Sequence, residues 1–228
     1  PQFALLKKLD NNSSLYANAA KSFKMPTFTQ IYGGGGANFA ANPLLEPEEG
    51  WTYEFGYKKT SNTSMFKTAL YYMDLDTIEY EGKGTSSNPY VTRNMSFKNK
   101  GLEMTYEKDF GSKYSYSLGA NFCNPMGKNK KGVWERKFAR EQYNAGIKYH
   151  DAKFNAALTG MFTTDRASGW GDLLPVNFIA GYKFDKSSSV ELGVENIFDR
   201  DDIVSNPGSA TKYYCLPRMV HVTYTYTF

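Results

Sequence analysis

Two periodicities leave few folds open to this 228-residue chain. Eleven segments alternate apolar and polar residues with a period of two, and the connections between them alternate as well, short then long, from the first to the last. A strand turns successive side chains to opposite faces, so each segment reads as a β-strand with one apolar face. The last, Arg218–Phe228, is the clearest. Val220, Val222, Tyr224, Tyr226 and Phe228 share one face; His221, Thr223, Thr225 and Thr227 share the other. The remaining strands are expected at Pro1–Leu9, Ser14–Phe23, Gly50–Thr60, Ser64–Tyr80, Ser96–Lys108, Tyr114–Phe122, Glu141–Tyr149, Lys153–Thr163, Pro175–Phe184 and Ser189–Phe198.

The short connections are compact and polar, such as Asp10-Asn11-Asn12-Ser13 and Ser61-Asn62-Thr63. The long ones are Lys24–Glu49, Glu81–Met95, Cys123–Arg140, Thr164–Leu174 and Asp199–Leu216. In an antiparallel up-and-down sheet this sorts every long connection to one end. A soluble sandwich has no reason to do so; an outer-membrane barrel has short periplasmic turns and long extracellular loops. The mean hydropathy of -0.56 fits, because a spanning strand needs no continuous apolar run. A net charge of +4 is too mild to suggest nucleic acid, and two cysteines make no disulfide framework. The expectation is an all-β, antiparallel up-and-down transmembrane β-barrel, with Phe228 at the periplasmic rim in the outer membrane of a diderm bacterium. With eleven strands the first and last point the same way and cannot pair antiparallel. The chain 1–228 is therefore expected to form half of a barrel of about 22 strands, large enough to need a plug. The plug and the first half would lie upstream and pair with both edge strands.

Several segments carry a family resemblance. They are Ser22-Phe23-Lys24-Met25-Pro26-Thr27-Phe28, Tyr32, Asn42-Pro43-Leu44-Leu45-Glu46-Pro47-Glu48 and Trp51-Thr52-Tyr53-Glu54-Phe55-Gly56-Tyr57-Lys58. To these are added Lys98-Asn99-Lys100-Gly101-Leu102-Glu103-Met104, Val194-Glu195-Asn196-Ile197-Phe198-Asp199 and the closing Tyr224–Phe228. Together they resemble the C-terminal part of TonB-dependent outer-membrane receptors. The resemblance implies an N-terminal plug, coupling to TonB, and energised uptake of a scarce ligand such as a ferric siderophore or cobalamin, with no enzymatic activity and no cofactor. It also implies that Tyr224, Tyr226 and Phe228 form the barrel-assembly signal. The rival readings are a passive diffusion porin and a soluble β-rich binding domain.

The candidate ligand residues are loop aromatics, amides and arginines: Tyr32, Asn38, Phe39, Tyr90, Arg93, Trp134, Arg136, Arg140, Trp170, Tyr213 and Tyr214. Aromatic rings and guanidinium groups suit flat or anionic ligands. His150 is expected in a turn and His221 on the inner wall. The resemblance implies a histidine between Phe23 and Asn42 in receptors that take haem; this loop has none, which weighs against haem. Asp199, Asp201 and Asp202 read as a capped strand end, with a calcium site as the alternative. A bridge between Cys123 and Cys215 would need their loops to fold toward each other, because their strand ends stand several strand spacings apart along the wall.

Overall fold

The computed structural model describes residues 1–34, 38–166, 170–208 and 211–228. Eleven antiparallel strands follow one another in sequence order as a single curved wall. They are β1 (Gln2–Lys8), β2 (Ser13–Lys24), β3 (Glu48–Thr60), β4 (Ser64–Glu81), β5 (Val91–Phe110), β6 (Tyr114–Cys123), β9 (Glu141–His150), β10 (Phe154–Thr164), β11 (Val176–Lys183), β12 (Ser188–Glu195) and β15 (Met219–Tyr226). Two small hairpins, β7 (Met126–Lys128) with β8 (Trp134–Arg136) and β13 (Ile203–Gly208) with β14 (Thr211–Tyr214), sit in long connections. The one helix among the described residues is α1 (Phe28–Tyr32). The up-and-down order and the alternation of short and long connections are as the sequence implies.

Cross-strand register makes the two faces explicit. One continuous row reads Leu5, Ala17, Phe55, Leu70, Leu102, Phe122. A second reads Phe66, Tyr106, Leu118, Ala145, Gly160, Val176, and a third Leu158, Phe178, Val194, Val220. The opposite face reads Tyr16, Gly56, Ala69, Glu103, Asn121, Gln142, Thr163. Every strand thus contributes apolar groups to one side and mostly polar or small groups to the other, as lipid outside and water inside require.

The usual alternative for an apolar face, burial against a second layer, is absent among the described residues. The buried hydrophobic side chains there are Leu45 (8% exposed) and Ala69 (7%). Leu118 remains 52% exposed and Val222 66%. The accessible surface is 14992 Å², against about 10,500 Å² for a compact protein of this mass. Among the described residues, no helix is long and apolar enough to cross a membrane. Aromatic rings mark the ends of the apolar rows: Tyr114 packs on Tyr149 (5.0 Å) and Tyr226 on Phe228 (5.2 Å) near the short turns. Trp51 stacks on Tyr53 (5.9 Å) toward the long loops. Such girdles belong at membrane interfaces.

Three of the five short turns share one device. Asp10, Asp151 and Asp185 each fold a carboxylate back onto the amide two residues ahead, at 2.7, 2.9 and 2.7 Å. These Asx turns reverse the chain with few residues. The donated hydrogen bonds hold all three carboxyls below the ordinary range, Asp151 at about 2. His150, expected in a turn, instead closes β9 opposite Asn155.

Boundaries differ from the sequence expectation at the long-loop end. β5 starts at Val91 rather than Ser96, so the β4–β5 hairpin rises well beyond the membrane-spanning length of about 9–11 residues. Packing of the first long loop explains the extension. The Thr92 side chain is fully buried and its hydroxyl donates to the Gln30 carbonyl at 3.2 Å. β12 stops at Glu195 rather than Phe198, because Asn196 (φ 48°) and Asp199 (φ 52°) turn the backbone left-handed.

Candidate functional site

All five long connections lie at one end of the wall, and hydrogen bonds stitch neighbouring ones together. The first is organised by α1. Thr27 and Gln30 form a reciprocal capping box: the Thr27 side chain accepts from the Gln30 amide, and the Gln30 side chain accepts from the Thr27 amide at 2.7 Å. The Gln30 amide group then donates to the Tyr80 hydroxyl at 2.6 Å. The T-x-x-Q spacing was legible in the sequence, and α1 could have been expected from it. Asn42 donates to the Thr92 carbonyl (2.7 Å), and Asn94 and Glu46 exchange side-chain to backbone bonds at 2.8 and 2.9 Å.

Three sequence candidates meet in this first-to-second loop contact. Phe39 lies 5.3 Å from Tyr90 and 5.7 Å from Tyr80, ring centre to ring centre, while Asn38 donates to the Gly84 carbonyl at 3.1 Å. Their immediate job is to hold two loops together. Tyr32 stays 63% exposed and rests on Phe28 at 4.6 Å. Arg93 sits 3.5 Å from Glu81 across the hairpin. Gly35 and Gly36 of the glycine run lie outside the described residues.

The third, fourth and fifth connections are tied by arginine. Arg136 pairs with the Asp165 carboxylate and donates to the Arg166 carbonyl at 2.6 Å; Arg140 is 3.8 Å from the same carboxylate. Arg166, which sequence reading did not single out, reaches on to the carbonyls of Ile203 (2.6 Å) and Val204 (3.1 Å) and lies 5.1 Å from the Trp170 ring. Asp202 accepts from Arg200 twice, at 2.8 and 2.7 Å, and from the Leu174 amide at 2.8 Å. Arg200 holds its carboxyl below the ordinary range. Asp202 is thus committed to protein donors, and no cluster of three metal-ligating side chains occurs among the described residues. Asn196 is buried, and its side chain bonds the carbonyls of Arg200 and Leu216, both at 2.8 Å. Tyr213 (57% exposed) and Tyr214 (51%) stand free on the fifth connection.

Trp134 is placed differently. β7 continues the wall by pairing with β5, and Trp134 shares the face of Lys98, Asp74 and Trp51, which is the outward one. The Lys98 and Lys128 ammonium groups approach its ring at 5.6 and 5.4 Å. The two cysteines are both free thiols: Cys123 donates to the Ala139 carbonyl at 3.3 Å, and burial pushes the Cys215 thiol up. The bridge weighed from the sequence is not formed in this structure, and the Cys123 thiol is occupied within its own loop. His221, as expected, is on the inner wall, its ring lying over Gly193 of the neighbouring strand, where a Cβ would collide with it. Tyr16 and Tyr71 cover Gly56 and Gly101 in the same way.

A lipid-facing girdled wall with a polar inner face and its long loops gathered at one rim defines an outer-membrane β-barrel. The chain belongs to the TonB dependent receptor-like β-barrel family, whose family model matches residues 1–197. Solved structures agree on the fold. The copper transporter OprC superposes with a TM-score of 0.78 at 13% identity, over 100% of this chain and 39% of its own. A mutant of the ferric enterobactin receptor PfeA from Pseudomonas aeruginosa, in complex with enterobactin, gives 0.78 at 18% identity over 100% and 40%. The ferric-catecholate import receptor Fiu from E. coli gives 0.72 at 18% identity over 100% and 34%. The chain therefore spans about two fifths of the length of the first two and a third of the last. The family is one of receptors and transporters, and its barrels lie in the outer membrane.

Proposed function

We propose that this chain is the C-terminal part of a receptor wall for TonB-dependent uptake of a ferric siderophore or a similar metal chelate, with cobalamin as the other ligand class. The family match across residues 1–197 carries the reading. The names of the similar structures, ferric-catecholate, ferric enterobactin and copper receptors, support a metal or metal-chelate cargo. The long-loop rim faces the cell exterior and Phe228 the periplasm, as short turns and long loops divide in such barrels. Tyr32, Tyr213, Tyr214 and Arg93 are the exposed groups on that rim able to stack on or pair with a flat anionic chelate. Arg136 and Trp170 support them by holding the loops. β1 pairs with β2 and β15 with β12, leaving one edge of each for the rest of the receptor. An open edge in lipid is costly, so an upstream wall segment and a plug complete the barrel. TonB acts through that plug.

The test is uptake by cells expressing the whole receptor as their sole importer. Radiolabelled ferric catecholate, ferric hydroxamate and cobalamin are offered separately. The reading expects transport of one of them, abolished when TonB is removed and reduced at least tenfold by Tyr213→Ala with Tyr214→Ala. Transport that persists without TonB would support the porin reading instead.

A further inference from the structure

The outward face changes character within one step of the apolar belt. Leu70, Leu102 and Phe122 form the last fully apolar row; two residues further along the strands come Tyr53, Tyr72 and Lys100, and then Trp51, Asp74, Lys98 and Met126. Two residues correspond to about 7 Å, so these rows stand at headgroup height. There, three lysines share one face. Lys98 and Lys128 both crowd the Trp134 ring, at 5.6 and 5.4 Å, and Lys100 lies two residues along from Lys98 and exposed. Asp74 answers one of them, at 3.2 Å from Lys98. Lys100 and Lys128 have no ion pair among the described residues.

The hairpin holding Lys128 is built. Asn129 accepts from the Lys131 and Val133 amides at 2.9 and 3.1 Å, and Gly132 (φ 75°) closes the turn. Its last strand places Trp134 opposite Lys128. The indole therefore serves as a rigid spacer between two ammonium groups, and like charges gathered on one face repel until an anion arrives. Trp134 faces away from the lumen, so this cluster stands apart from Tyr32, Arg93, Tyr213 and Tyr214, the rim groups proposed above for the ligand.

We infer that Lys98, Lys100, Lys128 and Trp134 form a binding site for a phosphorylated lipid headgroup on the outer wall of the barrel. The phosphate would sit between the ammonium groups, and the acyl chains would run down the wall across the Leu70–Leu102–Phe122 row beneath. The choice of a lipid over a soluble anion follows from the site's height and from the apolar row directly under it. The outer-leaflet assignment rests on the orientation proposed above; the phosphate chemistry does not.

The intact receptor, in phosphatidylcholine nanodiscs doped with lipid A, tests this by native mass spectrometry. Nearby lysines each contribute roughly fivefold to binding an anionic membrane surface, so Lys98→Gln with Lys100→Gln and Lys128→Gln should weaken lipid A retention about a hundredfold. The corresponding Lys→Arg triple variant should retain it. The inward-facing pair Lys58→Gln and Lys67→Gln should behave as wild type. Equal retention by the glutamine triple variant, or equal loss in the inward control, overturns the site. Full displacement by inorganic phosphate also overturns it, in favour of a soluble-anion site. Should the glutamine variant not fold, wild-type retention must still fall steeply with salt, and salt-independent retention refutes the proposal. Retention is read without transport substrate, so a failed uptake reading leaves the result intact.

Discussion

Replacing Leu118 by arginine tests the lipid-facing assignment at the middle of the wall. Leu118 lies midway along β6, flanked by Tyr106 on β5 and Ala145 on β9, far from either edge strand. On its strand, Tyr114 and Tyr116 precede it toward the short-turn girdle and Phe122 follows toward the other end. An arginine at the bilayer midplane costs about 2–4 kcal/mol. That is about 30- to 900-fold in the ratio of folded to unfolded receptor. One residue earlier, Ser117 faces inward opposite Glu107, so an arginine there meets a carboxylate across the strand pair. A cross-strand pair of opposite charge returns about 0.2–1 kcal/mol, offsetting the crowding of the longer side chain. The assay is urea unfolding of the whole receptor in lipid vesicles, followed by tryptophan fluorescence. Leu118→Arg should move the midpoint to distinctly lower urea, and Ser117→Arg should stay near wild type. Equal shifts for the two variants, or a larger one for Ser117→Arg, would refute the assignment of faces.

Three further outcomes follow from particular contacts. Arg166→Ala removes the donor to the Ile203 and Val204 carbonyls, so hydrogen exchange of residues 199–204 should speed as local opening becomes easier by about 1.5–3 kcal/mol. Exchange in β9 and β10 should not change; unchanged loop exchange would contradict the stitch. The turn carboxylates titrate below their ordinary value of 3.8 when folded, so their stabilisation is present above that pH and fades as pH falls toward about 2 for Asp151. Asp151→Asn keeps an acceptor but not the titration, and should flatten this part of the unfolding profile between about pH 4 and 2; identical acid profiles would discount the turn. Finally, denatured protein without reductant should label at two thiols per chain, Cys123 and Cys215; labelling only after reduction would restore the bridge.

The sequence by itself determined the wall. Period-two alternation names the apolar side of each strand, and that choice is made residue by residue, without reference to distant parts of the chain. Register is narrowed too, because a one-residue slip would carry every apolar side chain to the wet face, whereas a two-residue slip would not. Loop lengths then sort the two ends, so eleven strands and their faces were readable from Pro1 to Phe228. What the alternation cannot carry is the rim. Thr92 extends β5 opposite Tyr80, and its buried hydroxyl donates to the carbonyl of Gln30, sixty-two residues earlier. Asn38, Phe39 and Tyr90 read as ligand candidates, yet tertiary contact spends them on each other and on Gly84. Arg136 read as a ligand candidate and pairs with Asp165 and the Arg166 carbonyl, while Trp134, another candidate, faces outward with two lysines. Loop side chains have no periodic constraint, so their partners are set by which loops the order of strands in the wall brings side by side. That is a property of the tertiary structure, and it decides which aromatic and charged groups remain available to a ligand.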